Sequence, residues 1–352
     1  MIEREYQTNK QIFIGGTGRS GTTVLSSYLG NHKNIYKIPV EARFLTDKDG
    51  LIDLFDSLTK NYSLDQGRVA IRNFVEIFNF LSNPDTTPYL GINLKNYFNR
   101  IDFDNVLKEL IEKISDGQFY AKDFQSVDKY HFTYLLRYYL KPFNKLIAVI
   151  SKGKKKNIFP LYGYTGVYPI EKMFIPHYFR NENDLCLILN KFVNSIFFNF
   201  AQLNGKKGWC EDTPGNALNF NTLSKIFKSG YFIHITRHPV GVAYSMKNQS
   251  WAPSDYKEIC LLLVNLYEKL IFIHEYMLSE TNVKYYLVRL ENLTESKHRD
   301  NLHSFLEIDN DFVGDVIFQD YKINYYLDKI DDDDYNYIYD KLYKYIKYFS
   351  YD

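Results

Sequence analysis

The chain alternates between short apolar runs and longer stretches in which apolar residues recur every three or four positions. Residues 12–15, 35–39, 231–236 and 284–289 are runs of the first kind and read as buried parallel strands. The first, third and fourth are each followed by a turn or charged segment and then a helix-compatible stretch. Strand-then-helix repetition predicts an α/β fold, a central parallel sheet with helices on both faces.

Between residue 51 and about residue 206 the pattern changes. "LIDLFDSLTKNY", "VAIRNFVEIFNFLS", "FDNVLKELIEKIS", "FTYLLRYYLKPFNKLIAVI" and "LCLILNKFVNSIFFNFAQL" have helical spacing. "SNPDTTPYLG" and "SKGKKKNIFPLYGYTG", rich in Gly, Pro and Lys, read as loops between them. We therefore expect one domain over residues 1–352, with a large, mainly helical insertion at 51–206. The tail "DDDDYNYIYDKLYKYIKYFSYD" predicts a last helix. Its aspartates, 331–334, cap and charge-match the N-terminus. Ile338, Leu342, Tyr345 and Ile346 form the buried stripe.

Composition narrows the function. A net charge of +1 argues against a nucleic-acid partner held by phosphate attraction, while leaving room for a local basic pocket. Three scattered cysteines, Cys186, Cys210 and Cys260, make neither a disulfide framework nor a zinc site. No apolar run approaches the roughly 18 residues of a membrane span, and the first residues are polar. A cytoplasmic location is expected.

The candidate chemistry begins at "IFIGGTGRSGTTVLSSYLGNH", residues 12–32. A glycine loop between strand and helix turns backbone N–H groups inward, and the helix N-terminus adds partial positive charge. The Gly16-to-Gly21 spacing matches the start of the phosphate-binding pattern G-x-x-x-x-G-K-[ST]. The lysine is absent: Thr22 and Thr23 stand next, and Arg19 sits inside the loop. A triphosphate site needs that lysine and, as a rule, a metal-holding acidic strand end. Here the strand at 231–236 ends in Arg237 and His238. Gly18, Arg19, Ser20, Gly21, Thr22 and Thr23 thus suit a less charged group such as a phosphosulfate, with no metal ligand.

"YFIHITRHPVGVAYSM" repeats the arrangement. Arg237 ends a strand, Pro239 starts a helix, and Ser245 follows about two turns on. Arginine plus hydroxyl holds a phosphate monoester through charge-assisted hydrogen bonds. Two anion sites on neighbouring strand ends fit one ligand with phosphates at both ends, bound outside the carboxyl edge of the sheet.

Together "GTGRSGTTVL" and "ITRHPVGVAYSM" resemble the sulfotransferases that use 3′-phosphoadenosine 5′-phosphosulfate (PAPS), which share a P-loop NTPase-like sheet. The first motif resembles their 5′-phosphosulfate loop and the second their 3′-phosphate site, with Arg237 and Ser245 at the family's spacing. "VRLENL" resembles a segment ending Tyr-Glu-Asp-Leu, and "WCEDTP" one reading Glu-Lys-Thr-Pro. The resemblance covers the first 45 residues and most of the last 145. Asp212 departs from it by standing where many members carry lysine; Lys206 and Lys207 are candidate substitutes.

On this resemblance the enzyme transfers a sulfuryl group from PAPS to a hydroxyl or amine acceptor by in-line displacement, releasing adenosine 3′,5′-bisphosphate without a metal. Arg19, the loop amides and the two threonines stabilise the leaving phosphate. The acceptor's proton goes to a base. Glu41 in "PVEARFL" resembles the Glu-x-Arg base of tyrosylprotein and carbohydrate sulfotransferases, with Arg43 positioning the acceptor or orienting the carboxylate. A structural Glu41–Arg43 pair is the plainer reading. Glu211, after a short strand, is the rival base. His32 and His238 read as structural. The run Lys152 to Lys156 reads as a solvated loop, or as an attractor for an anionic acceptor. Trp251 stacks on adenine or a sugar, or packs in the core. The acceptor expected from this branch is a carbohydrate or glycolipid. A P-loop phosphotransferase, or a silent nucleotide-binding module, is the alternative.

Overall fold

A computed structural model describes residues 10–82, 94–122, 142–143, 146, 149–150, 170–314, 318–319 and 323–351. Strand β1 (Lys10–Gly16) leads through the glycine loop into α1 (Thr22–Gly30), and β2 (Ile35–Lys37) into the short α2 (Arg43–Thr46). The helices α3 (Leu51–Leu58), α4 (Leu64–Ser82), α5 (Leu94–Tyr97) and α6 (Phe103–Ile114) follow. Next come β3 (Ser115–Lys122), β4 (Ile170–Pro176), α7 (Glu182–Leu203) and β5 (Gly208–Glu211). A 3₁₀ turn at Pro214–Asn219 precedes α8 (Phe220–Ile226), β6 (Tyr231–Thr236), α9 (Pro239–Lys247) and α10 (Tyr256–Ser279). The chain closes with β7 (Lys284–Arg289), α11 (Ser296–Leu306) and α12 (Asp332–Tyr348).

Five strands form one parallel sheet in the order β2-β5-β1-β6-β7, flanked by helices. The expected α/β architecture is therefore present. β1 lies at the centre because both its faces are apolar, as a parallel sheet covered on two sides requires. Phe13 points to one face, with ring centroids 4.7 Å from Phe227, 5.1 Å from Trp209 and 5.5 Å from Phe232. Ile12 and Ile14 point to the other, in a cluster with Leu25, Leu29, Ile35, Ile233 and Ile235. The outer strands depart from the expectation of full burial. In β7 only Val288 is buried, and in β2 only Ile35, because each is an edge with a single neighbour.

The helical reading of residues 51–62, 69–82, 103–115 and 185–203 matches α3, α4, α6 and α7. The stretch at 132–150 and both lysine- and proline-rich connectors fall mostly or wholly outside the described residues. The middle of the chain also holds strands: β3 and β4 pair antiparallel. They belong to a second compact unit, Ser115–His177, while Met1–Ile114 and Tyr178–Asp352 make up the first. In α12, Asp331 accepts from the Asp334 N–H at 2.8 Å and so caps the helix. Ile338, Leu342, Tyr345 and Ile346 are its buried residues, as the spacing predicts. Among the described residues no helix is long and apolar enough to cross a membrane.

Candidate active site

The carboxyl ends of β6, β1, β5 and β2 open onto a cavity of about 910 Å³. Its lining includes Gly18, Arg19, Gly21, Thr22 and Thr23 from the glycine loop and α1. Glu41, Arg43, Thr46 and Asp47 come from the segment after β2, Thr213–Gly215 from the end of β5, and Arg237 from the end of β6. One sheet edge thus gathers residues that lie in distant parts of the chain.

The loop has the build of an anion cradle. Gly21 caps α1 with φ at 100°, in the left-handed region that a side chain resists. A Cβ there would also come within 2.8 Å of Leu290 Cδ1. The first N–H groups of α1 have no intrahelical partner and carry the positive end of the helix dipole. Arg19 adopts φ 73°, a backbone that costs a non-glycine residue on the order of 1 kcal/mol. Ser20 is turned away. It is fully buried, and both its N–H (3.2 Å) and its hydroxyl (2.8 Å) donate to the Thr17 carbonyl. It closes the turn and offers neither group to the cavity, which departs from its expected ligand role.

The second motif lies directly against the first. Arg19 Nε donates to Ser245 Oγ at 2.9 Å, and Arg237 Nη1 to the Arg19 carbonyl at 3.4 Å. Ser245 and Arg237 are buried; Ser245 stands behind Arg19 and is not among the residues lining the cavity. The other Arg237 nitrogen, Nη2, donates to the Ile323 carbonyl, and the guanidinium sits 5.7 and 5.8 Å from the ring centres of Tyr325 and Tyr326. Its Nε is buried without a hydrogen-bond partner among the described residues. Burial lowers the Arg237 pKa, a sign that the cation is held at a cost in desolvation. Nε lies against Gly241 of α9, where an added Cβ would stand 3.3 Å from it, while the residue as a whole borders the cavity and brings its positive charge there.

The turn between them is fixed from β7. Glu291 Oε1 accepts from the His238 N–H at 2.9 Å. His238 itself caps α9, its Nδ1 accepting from the Val240 N–H at 3.3 Å, and burial pushes its pKa down to about 4. It is a neutral structural residue. His32 is likewise structural: it is buried, pairs with Asp309 at 2.8 Å, and accepts from the Asn34 N–H at 3.1 Å.

Glu41 is exposed in the cavity wall, and its pKa is raised. Desolvation by its surroundings is the main cause and the Asp212 charge the next; Arg43 opposes them. The Arg43 N–H donates to the Glu41 carbonyl at 2.9 Å, but the Arg43 side chain pairs elsewhere. Its Nε binds Asp47 Oδ2 at 2.6 Å, one helical turn on. Phe44 anchors this segment. It is fully buried, with ring centroids 5.5 Å from Phe78, 5.9 Å from Phe197 and 6.2 Å from Phe192, so α4 and α7 hold the Glu41–Asp47 segment in place.

Glu211, the rival base, is differently placed. It is fully buried, and its oxygens accept from the Ala42 N–H (3.0 Å), the Thr213 N–H (2.9 Å), the Thr213 hydroxyl and the Asn216 amide. Its pKa is pushed up to about 7, first by burial and then by Asp212. With no exposed oxygen it cannot meet an acceptor. It clamps the segment after β2 to the turn after β5, a role its sequence position does not reveal. Asp212 is also buried and accepts from Ser26 Oγ at 2.6 Å. Lys206 Nζ donates to the His32 carbonyl at 2.9 Å, and neither Lys206 nor Lys207 lines the cavity.

The two tryptophans part company. Trp209 is fully buried core, with Nε1 donating to Asn194 Oδ1 at 3.1 Å. Trp251 is 61% exposed and lines the cavity. Its ring lies so close to Gly18 that a Cβ there would stand 3.1 Å from Trp251 Cη2. Core packing does not account for it. The run Lys152 to Lys156 lies outside the described residues.

Residues 156–311 match the sequence model of a sulfotransferase family. The match supports that family for this chain and favours sulfuryl transfer over a P-loop phosphotransferase. It includes β5, β6, α9 and β7, and with them Arg237 and Ser245, but not the glycine loop or Glu41. Among solved structures, the sulfotransferase domain from the Synechococcus PCC 7002 olefin synthase is similar at 12% identity, with a TM-score of 0.42 over 95% of this chain and 94% of that one. No curated protein matches the chain.

Proposed function

We propose that this protein transfers a sulfuryl group from PAPS to a hydroxyl acceptor of the carbohydrate or glycolipid class. The observation that carries the reading is the contact between the two arginine motifs. Arg19 reaches Ser245 at 2.9 Å, and Arg237 reaches the Arg19 backbone at 3.4 Å. Two cationic sites this close suit the two ends of one bisphosphorylated nucleotide better than two separate ligands.

The chain's own residues divide the work. The N–H groups at the start of α1, Thr22, Thr23 and Arg19 receive the 5′ end and meet negative charge where it grows on the leaving phosphate. Arg237, whose guanidinium borders the cavity, receives the 3′-phosphate. Trp251 offers a ring face beside Gly18 for the adenine. The donor supplies the sulfuryl group itself. Glu41 takes the proton from the acceptor oxygen, and its raised pKa strengthens it as a base. This carboxylate after β2, in Glu-x-Arg, is what favours the tyrosylprotein and carbohydrate branch. The reading calls for no metal, and three buried, unpaired thiols suit a cytoplasmic location.

Calorimetry with adenosine 3′,5′-bisphosphate against ATP with magnesium tests the donor. The bisphosphate is expected to bind and ATP to bind far more weakly; binding of ATP alone would overturn the reading. Transfer of labelled sulfate to a panel of glycans then tests catalysis.

A further inference from the structure

The sheet order fixes a charge gradient along the cavity. Arg237 follows β6, Arg19 follows β1, the turn at Thr213 follows β5, and Glu41 to Asp47 follow β2. Strands stand about 4.8 Å apart, so the β2 end lies roughly 10 Å from the loop after β1. Among the described residues, the cations lining the β6 and β1 end have no carboxylate beside them in the lining. The two carboxylates in the lining among the described residues, Glu41 and Asp47, belong to the β2 end.

That end also holds Arg43, which would ordinarily receive an anion. Its Nε is already bound by Asp47 at 2.6 Å, so the pair is neutral as a unit. Arg43 offsets the Glu41 charge only in part, because Asp212, buried close by, and Asp47 add negative charge to its surroundings. Lys37, at the end of β2, turns to Ser27 Oγ at 2.9 Å and does not line the cavity. An acceptor carrying carboxylates or sulfates would meet like charge in a partly desolvated wall.

We propose that Asp47, by neutralising Arg43, makes the β2 end of the cavity select uncharged glycan acceptors and reject anionic ones. This rests on the reading of that end as the acceptor end. Asp47 acts on specificity through Arg43 and takes no part in the proton transfer.

The test uses the full chain and two probes matched in backbone: a β-1,4-linked glucose tetramer, and the same tetramer oxidised to the carboxylate at every C6. Calorimetry on the unsubstituted protein is expected to show the oxidised tetramer binding at least tenfold more weakly. Asp47→Asn releases Arg43 and should narrow that ratio about tenfold, the scale of one charged hydrogen bond. Adding Arg43→Gln to Asp47→Asn should restore the original ratio, which a loss of local structure would not do. Equal or tighter binding of the oxidised tetramer, an unchanged ratio in Asp47→Asn, or binding of neither tetramer would overturn the proposal. A separate titration with adenosine 3′,5′-bisphosphate involves neither tetramer. Its failure would remove the donor reading and would be told apart from failure of the charge rule.

Discussion

Replacing Arg237 by alanine removes a guanidinium that is 7% exposed and borders the cavity. Two of its nitrogens hold the Ile323 and Arg19 carbonyls, while Nε has no partner among the described residues. On the proposed reading the guanidinium faces the 3′-phosphate of the bound nucleotide. A hydrogen bond to a charged group contributes about 1.5–3 kcal/mol, so affinity for adenosine 3′,5′-bisphosphate should fall roughly 10- to 150-fold. The substitution also strips two carbonyls of a donor, which costs stability on the order of 1–3 kcal/mol. The titration is therefore run well below the melting temperature of the variant. Arg237→Lys keeps the charge but loses the planar fork and its stacking on Tyr325 and Tyr326, and should fall between the two. Adenosine 5′-monophosphate serves as the control, since it lacks the 3′-phosphate and should be nearly indifferent to the change. Bisphosphate affinity within threefold of the unsubstituted protein, at full folding, would refute the assignment of Arg237 to the 3′-phosphate.

Glu41→Gln should leave bisphosphate affinity intact and slow turnover about 10²- to 10⁴-fold, the range for loss of a general base. In the unsubstituted enzyme the acid limb of the pH–rate profile should lie above the ordinary carboxylate value of 4.5, because desolvation by the cavity wall and the Asp212 charge raise Glu41. Glu211 has a folded pKa of about 7 against 4.5 unfolded, so the folded state keeps its proton longer. Stability should therefore decline as pH rises from about 4.5 to about 7, by on the order of 3 kcal/mol, then level off; Glu211→Gln should flatten that slope in denaturation measured across the range. Trp251→Ala should weaken bisphosphate binding by roughly 1–3 kcal/mol, the scale of base–aromatic stacking, with little change in melting temperature, since the ring is 61% exposed. Gly21→Ala should lower the melting temperature and donor affinity together, because the new Cβ meets both a left-handed backbone and Leu290.

Much of this architecture can be read from the chain because β1 and β6 are buried strands and their runs are mainly apolar. β6 and β7 have the bounds that the pattern predicts. β3 and β4 leave no such trace: "SDGQFYAK" mixes polar residues with glycine, and pairing rather than composition makes it a strand. The glycine loop and Arg237 announce themselves through spacing and strand ends. Their contact does not, since Arg19 and Ser245 meet only after β1 and β6 pair. Glu41 and Glu211 look alike in sequence, each near the end of a strand. What separates them is solvent access and the donors around Glu211, supplied by Asn216 in the following turn and by Ala42 from across the fold. Trp251 likewise follows a loop with no periodicity to say which way it faces.

The central claim is that one bisphosphorylated nucleotide spans the Arg19 loop and the Arg237 site. A crystal structure of the protein with adenosine 3′,5′-bisphosphate tests it most directly. The account predicts one phosphate against the N-terminus of α1 and the other within hydrogen-bond distance of Arg237. Density that places both phosphates elsewhere, or only one of them in the cavity, would contradict it.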